Sequence, residues 1–368
     1  VYIRTATALW RSDGSVAGTH EVSTFGSRPT FPIVRHGDAL FFANWTDESD
    51  TRSQLWRSNW TAAGTAPIWQ SDQNCSPYGL VVAGDHFFFS CANGGSGIEP
   101  HVSDGTPAGT RLLANIAPGD DVGSLPNHFT PFGDLIVFDA DDHTHGRELW
   151  ISDGTTTTML TDLAAGEPSS IPADGSDEGV FIHGDLAYLN AVADNDERLL
   201  LRTDGTPAGN VVLRSGSFVR DLTAVDEHVV FIADSCAGKP RPGLWQTDGT
   251  PDGTACIFAL ADDQAFEMST RADLVQSGGR LYFAVSDPPT GRELWSVTTA
   301  SLFCRGDLDG DRAVSIGELV TGITSALGEA PARVASGFDR NRDGRVDIAE
   351  LIAAISAATS GCTTVDGT

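Results

Sequence analysis

Apolar residues along most of this chain come in short runs broken by Gly, Asp and Asn. G-D-A-L-F-F starts at Gly37, G-D-H-F-F-F at Gly84, G-D-L-I-V-F at Gly133 and G-D-L-A-Y-L at Gly184, followed by D-E-H-V-V-F at Asp226 and G-G-R-L-Y-F at Gly278. A two-residue turn between such runs predicts a β-hairpin. A second landmark follows each of them: Q-L-W-R-S-N-W-T from Gln54, E-P-H-V-S-D-G-T from Glu99, E-L-W-I-S-D-G-T from Glu148, L-L-L-R-T-D-G-T from Leu199, G-L-W-Q-T-D-G-T from Gly243 and E-L-W-S from Glu293. One more copy, A-L-W-R-S-D-G-S, opens the chain at Ala8. The D-G-T step is a second hairpin signal, so each period predicts four short strands.

The Trp-type positions are Trp10, Trp56, His101, Trp150, Leu201, Trp245 and Trp295, separated by 46, 45, 49, 51, 44 and 50 residues. A four-stranded unit at this period is the pattern of a mainly β protein, a β-propeller with one blade per repeat. Six G-D-type hairpins favour six blades. Seven Trp-type strands leave one over, so a seventh blade cut short ahead of Val1 is the rival count. The chain begins at Val1 without Met or a secretion signal, and something upstream is expected to have been removed or lost.

Each repeated residue has a structural task. The Asp of D-G-T can accept hydrogen bonds from its own turn, and the Gly can take positive φ. The Trp three positions before that Asp is expected to pack between neighbouring blades. Catalysis needs an arrangement that occurs once, whereas these residues recur. Asp141, Asp142, His143 and His145 could present two imidazoles to a metal. Their context, H-G-R-E-L-W, matches T-G-R-E-L-W before Trp295 and favours a solvated loop. Asn44-Trp45-Thr46 and Asn59-Trp60-Thr61 match the N-glycosylation sequon, but the second replaces D-G-T in its repeat. No G-x-S-x-G, H-E-x-x-H or phosphate loop occurs.

After Ser301 the period changes to that of helices. Asp307, Asp309, Asp311, Ala313, Ser315 and Glu318 occupy positions 1, 3, 5, 7, 9 and 12 of an EF-hand calcium loop, and Asp339, Asn341, Asp343, Arg345, Asp347 and Glu350 occupy them again. Calcium takes hard oxygens, and a final Glu closes the loop with both of its own. Ala313 and Arg345 would give backbone carbonyls. Gly344 fills the sharp-turn position of the second loop, and Arg312 stands there in the first, which makes the first the weaker site. The helices carry Ile316, Leu319, Val320, Ile323 and Leu327, then Ile348, Leu351, Ile352 and Ile355, faces expected to bury against each other. Two Ca²⁺ ions are the implied cofactors. The boundaries are 1–300 for the propeller and 304–368 for the paired loops.

A formal charge of -27, with 23 basic against 50 acidic residues, excludes nucleic acid as a partner and favours cations. No apolar run approaches the ~20 residues that would insert in a bilayer. Six cysteines fall into neighbouring pairs in sequence order, Cys75 with Cys91, Cys236 with Cys256 and Cys304 with Cys362, none at C-x-x-C spacing. Structural disulfides in an exported protein are the leading reading, with free cytosolic thiols as the alternative. The last pair would staple the small C-terminal module.

On both landmarks and the A-P-G-D-D-V-G-S-L-P connector from Ala117, residues 1 to 298 resemble the ELWxxDGT repeat family of bacterial exported proteins. That resemblance implies a propeller-like domain and carries no catalytic residues. The paired loops resemble dockerin-type EF-hand pairs, with Leu308 where that module often has Cys. Type I dockerins recognise cohesins near loop positions 10 and 11; here Ile316, Gly317, Ile348 and Ala349 are not the polar pairs expected. The expectation is a non-catalytic, calcium-stabilised, secreted or cell-surface monomer that binds a glycan or protein ligand, or a cohesin-like or cell-surface partner, in an adhesion or scaffolding role. The alternative is a polysaccharide-acting enzyme with a propeller catalytic domain and a dockerin-like attachment module.

Overall fold

The structure is a computed structural model. It describes residues 1–298 apart from 6, 26–28, 46–52, 71–76, 93–96, 120–121, 165, 167, 172–178, 195, 217–218, 237–241, 261–264, 267–273 and 288–290, and then 314–327, 338, 345–348, 351–352 and 354–355.

Each sequence period folds into its own antiparallel sheet. The first is β1 (Tyr2–Arg4), β2 (Ala8–Arg11) and β3 (His20–Thr24); the second is β4 (Pro29–His36), β5 (Ala39–Trp45), β6 (Ser53–Ser58) and β7 (Thr65–Gln70). The third holds β8 (Tyr78–Ala83), β9 (His86–Ala92), β10 (Ile98–Ser103) and β11 (Arg111–Leu112), and the fourth β12 (Asn127–Phe132), β13 (Leu135–Asp141), β14 (Arg147–Ser152) and β15 (Thr157–Met159). The fifth holds β16 (Phe181–His183), β17 (Leu186–Val192), β18 (Arg198–Thr203) and β19 (Val211–Ser215), and the sixth β20 (Val219–Val225), β21 (His228–Ala233), β22 (Gly243–Thr247) and β23 (Ala255–Ala259). In the seventh, β24 (Ala265–Phe266) and β25 (Val275–Ser277) both pair with β26 (Arg280–Asp287), which also pairs with β27 (Gly291–Thr298).

Sequential four-stranded antiparallel sheets, one per repeat, are the blades of a β-propeller. Among the described residues there are seven sheets, which corrects the favoured count of six. The G-D hairpin joins the first two strands of a blade, and the first sheet begins at the second strand position, so hairpins undercount the sheets by one. The Trp-type strands, one per sheet, count them correctly.

The chain divides into two compact units. One is Val1–Ala187 with Ala191–Asp196 and Asp204–Asn210; the other is Tyr188–Asn190 and Glu197–Thr203 with Val211–Thr368. In the first unit, Leu9, Val22 and Phe25 of the first repeat pack with Leu40 and Phe42 of the second. Leu55 of the second packs with Phe87 and Phe89 of the third, and Phe88 and Val102 of the third pack with Ile136 and Phe138 of the fourth. In the second unit, Ile232 and Leu244 pack with Leu281 and Phe283. The core therefore lies between consecutive sheets, where burial of apolar area supplies the driving force that a single repeat lacks.

Register links the two sequence landmarks. In five of the six runs the last Phe faces the Trp-type residue across the sheet: Phe42 opposite Trp56, Phe89 opposite His101, Phe138 opposite Trp150, Phe231 opposite Trp245 and Phe283 opposite Trp295. Two of the Trp rings also reach the end of the preceding repeat, as expected. Trp56 meets Phe25 edge-on at 5.4 Å, and Trp245 lies under the Arg214 guanidinium at 4.1 Å. They are half-buried rather than fully enclosed. The Leu before the Trp is the deeper anchor: Leu9, Leu55, Leu149, Leu200 and Leu244 are at most 1% exposed. Leu294, on β27, is 74% exposed, and among the described residues no further sheet follows it.

Of the disulfide expectations, Cys236 is bonded to Cys256, clamping the end of β21 to β23, and Cys91 is disulfide-bonded as well. Cys75, Cys304 and Cys362 lie outside the described residues.

Candidate functional site

The D-G-T turns are built alike, and their carboxylates are spent on the backbone. Asp104 Oδ1 accepts from Thr106 N at 2.8 Å and from its hydroxyl at 2.7 Å; Asp13, Asp204 and Asp248 repeat this on Ser15, Thr206 and Thr250. Asp153 accepts instead from Thr155 N and Thr156 N. Asn59 takes the same role toward Thr61, so that sequon is a turn variant, while Asn44 is buried. These bonds hold the Asp13, Asp104 and Asp153 carboxyls below the usual carboxylate range. The turn glycines Gly14, Gly105, Gly154, Gly205 and Gly249 lie at φ of 84 to 96°. In four of the turns a second glycine stands five residues after the Asp. A Cβ on Gly18, Gly109, Gly209 or Gly253 would overlap the carboxylate of its own turn. The motif is scaffold.

The Glu of E-L-W is scaffold too. Glu99 is fully buried and accepts from Ile116 N at 3.1 Å, Ala117 N at 3.0 Å and Ser124 Oγ at 2.5 Å, pinning the connector to the next blade. Glu148 does the same through Thr161 Oγ1 and Ser170 N; burial pushes its carboxyl up.

His101 occupies a Trp position, 3% exposed, stacked on Phe89 at 5.5 Å and tilted against Trp69 at 5.7 Å. Burial lowers it from 6.5 to about 4, so the folded protein holds it neutral. As pH falls from 6.5 toward 4 the unfolded chain takes up a proton that the folded chain does not, and stability drops by about 3 kcal/mol. Urea unfolding at pH 7 and pH 4.5 should therefore show a smaller acid loss in His101→Phe than in the parent. Equal losses would mean that His101 is not the sensitive group.

Among the described residues of the first unit, one polar cluster is not repeated from blade to blade. Asp139, 3% exposed, sits on β13 between His128 Nδ1 at 2.6 Å and the Arg147 guanidinium, which also donates to Leu125 O at 3.0 Å. Tyr78 stands nearby, its hydroxyl pushed up by burial. A carboxylate held by an imidazole and a guanidinium is a charge-compensated buried group. In sequence the position directly after G-D-L-I-V-F is polar in the neighbouring repeats as well, Ser90 and Asn190, so only its charge marks Asp139. The adjacent loop closes on itself. Asp141 accepts from His143 N, and Asp142 from Thr144 N, His145 N and, at 2.7 Å, lies on His145 Nδ1. That bond holds the His145 imidazole above its ordinary range.

In the C-terminal segment, Ser315 and Glu318 start α1 (Ile316–Ala326) with a reciprocal capping box: Glu318 N donates to Ser315 Oγ and Ser315 N to Glu318 Oε2. The backbone carbonyl of Ser315 accepts from Leu319 N at 3.1 Å, and that of Asp347 accepts from Leu351 N at 3.1 Å. Position 9 of each loop thus begins a helical turn in the same way. Phe338, Val346 and Ala354 form a small core with Leu319 and Leu351. Gly322 lets the Phe338 ring lie directly on α1. The expected mutual burial of whole helix faces is corrected: Ile316, Val320, Ile323, Leu327, Ile348, Ile352 and Ile355 are 41 to 81% exposed. Among the described residues, Leu319, Leu351 and Ala354 are the apolar side chains of these segments that pack inward, against Phe338 and Val346. Arg345 and Asp347 are exposed, and Glu318 is 7% exposed. Asp307, Asp309, Asp311, Ala313, Asp339, Asn341, Asp343 and Glu350 lie outside the described residues.

No family model and no curated protein matches this chain. Among solved structures it is similar to the β-propeller domain of the Trilobed protease from Pyrococcus furiosus, at 12% identity over 80% of this chain and 92% of that one, TM-score 0.35. Prolyl endopeptidases match at 13% identity over 73% of this chain and 41% of theirs, TM-score 0.41. Oligopeptidase B from Leishmania major matches at 12% identity over 72% and 38%, TM-score 0.40. This chain spans about two fifths of the length of those two peptidases.

Proposed function

We propose that the chain is a non-catalytic, exported binding protein, a propeller-type scaffold followed by a calcium-stabilised pair of loop–helix units. The observation that carries the calcium reading is the matched start of the two helical turns at Ser315 and Asp347 above one shared core. That geometry puts position 12 of the first loop, Glu318, at a helix N-terminus in a buried setting, where an anionic oxygen beside a hard cation is favoured. Asp307, Asp309, Asp311, Ala313, Ser315 and Glu318 would hold one ion, and Asp339, Asn341, Asp343, Arg345, Asp347 and Glu350 the other. Bound calcium neutralises the clustered carboxylates and couples loop order to folding.

Support for binding rather than hydrolysis comes from the blades. Asp13, Asp104, Asp153, Glu99 and Glu148 are committed to holding turns and connectors, and Asp139 to a cationic pair. The oxidised Cys236–Cys256 pair agrees with export. A glycan-array screen in calcium, run beside hydrolysis assays on the same glycans, tests the reading. Binding without turnover is expected, and reproducible turnover would replace it with the polysaccharide-acting enzyme.

A further inference from the structure

Trp60 stands where five other repeats place a glycine. Gly14, Gly105, Gly154, Gly205 and Gly249 take φ of 84 to 96° in their turns, and Trp60, in N-W-T, takes φ of 72°. A bulky side chain in the left-handed region strains the backbone, and strain of this kind persists where the side chain has a task. The turn itself does not need the indole. Asn59 Oδ1 accepts from Thr61 N and Oγ1 just as Asp104 accepts from Thr106.

What the indole meets is also particular to this repeat. Tyr2 on β1 and Phe41 on β5 hold matching places, each opposite the Arg that follows a Trp-type residue: Tyr2 opposite Arg11 and Phe41 opposite Arg57. Phe41 is 3% exposed, sealed by Phe87 at 4.1 Å and by the Gly105 turn, where a Cβ would lie 3.0 Å from its ring. Tyr2 is 40% exposed and has Trp60 beside it, ring centroids 6.2 Å apart and planes tilted by 44°. Trp60 Nε1 donates to Asp38 O at 3.1 Å, and the indole packs on the Leu9, Leu40 and Phe42 cluster. The ring is thereby fixed but not enclosed, since it is only half-buried. A group fixed in advance loses little entropy when a ligand arrives. Arg11, opposite Tyr2, and Asp38, whose carbonyl holds the indole, are both exposed.

We propose that Tyr2 and Trp60 form a stacking platform for a neutral polysaccharide, with Arg11 and Asp38 as hydrogen-bonding groups at its rim. The C–H face of a pyranose lies against the electron-rich faces of the two rings. Its hydroxyls both donate and accept, so they match a guanidinium and a carboxylate together, whereas a simple anion or cation matches only one of them. The net charge of -27 further disfavours an acidic chain. An open platform suits a polymer that runs across the surface. The site deepens the binding reading above and rests on it, but not on the calcium loops, because both rings belong to the first unit.

The test is affinity gel electrophoresis of the full chain through starch, mixed-linkage β-glucan, xylan, galactomannan or polygalacturonate, with calcium and with EGTA. At least one neutral polysaccharide is expected to retard the parent, in EGTA as in calcium. Trp60→Gly installs the residue of the five other turns, so it should keep the far-UV spectrum and cooperative melting of the parent while binding about tenfold more weakly. Tyr2→Ala should also weaken binding, whereas Tyr2→Phe keeps the ring and should bind within about twofold of the parent. Undiminished retardation of Trp60→Gly, or retardation of the parent by polygalacturonate alone, would overturn the platform and leave the binding reading standing. A parent that no polysaccharide retards also overturns the platform, and the wider binding reading falls with it only if the glycan array is blank as well.

Discussion

Replacing Gly205 by alanine should destabilise the chain by about 4 kcal/mol, and replacing Gly216 by alanine by only about 1 to 2. Both glycines have φ of +85°, so the backbone strain introduced by a Cβ is the same. Their surroundings differ. A Cβ on Gly205 would come within 2.8 Å of Phe132 Cε1 and 3.2 Å of Ile151 Cδ1, two buried side chains of the fourth blade, whereas at Gly216 nothing lies within 4 Å. The difference isolates the packing of a D-G-T turn onto the preceding blade. Urea unfolding of both variants measures it, and equal losses would show that the turn does not bear on the core.

The second large effect concerns the acidic loops. Glu318→Gln and Glu350→Gln are each expected to remove one equivalent of tightly bound calcium, weakening that site at least tenfold, which is about 1.4 kcal/mol. Glutamine can still accept from Ser315 N, as Glu318 Oε2 does, so the capping box at α1 survives. The apoprotein of Glu318→Gln should therefore keep its helix content while its calcium stoichiometry falls from two to one. Isothermal titration and far-UV circular dichroism on the full chain separate the two effects. Unchanged stoichiometry would remove Glu318 from the ligand set.

The blades were legible because their determinants are local and repeated. A turn Asp that bonds its own backbone, a Gly at positive φ and a Phe opposite a Trp leave the same trace in every period. A glycine five residues beyond Asp13, Asp104, Asp204 and Asp248 recurs too, but its reason, a carboxylate folded back against it, exists only in three dimensions. The hairpin landmark falls one short of the blade number because it belongs to the first two strands, and the first sheet starts at the second. In the C-terminal segment the helical period showed where apolar residues lie, but not which row turns inward. Phe338 and Val346 decide that, and neither belongs to the helical pattern. The Asp139 cluster is hidden in the sequence for a similar reason: its partners His128 and Arg147 come from the strands on either side of it, and only pairing brings them together.

Differential scanning calorimetry of the full chain in EGTA and in millimolar calcium tests the central claim most directly. Two transitions are expected, one that shifts upward with calcium and represents the loop–helix pair, and one from the blades that stays in place. Superimposable traces in the two conditions would contradict a calcium-stabilised module.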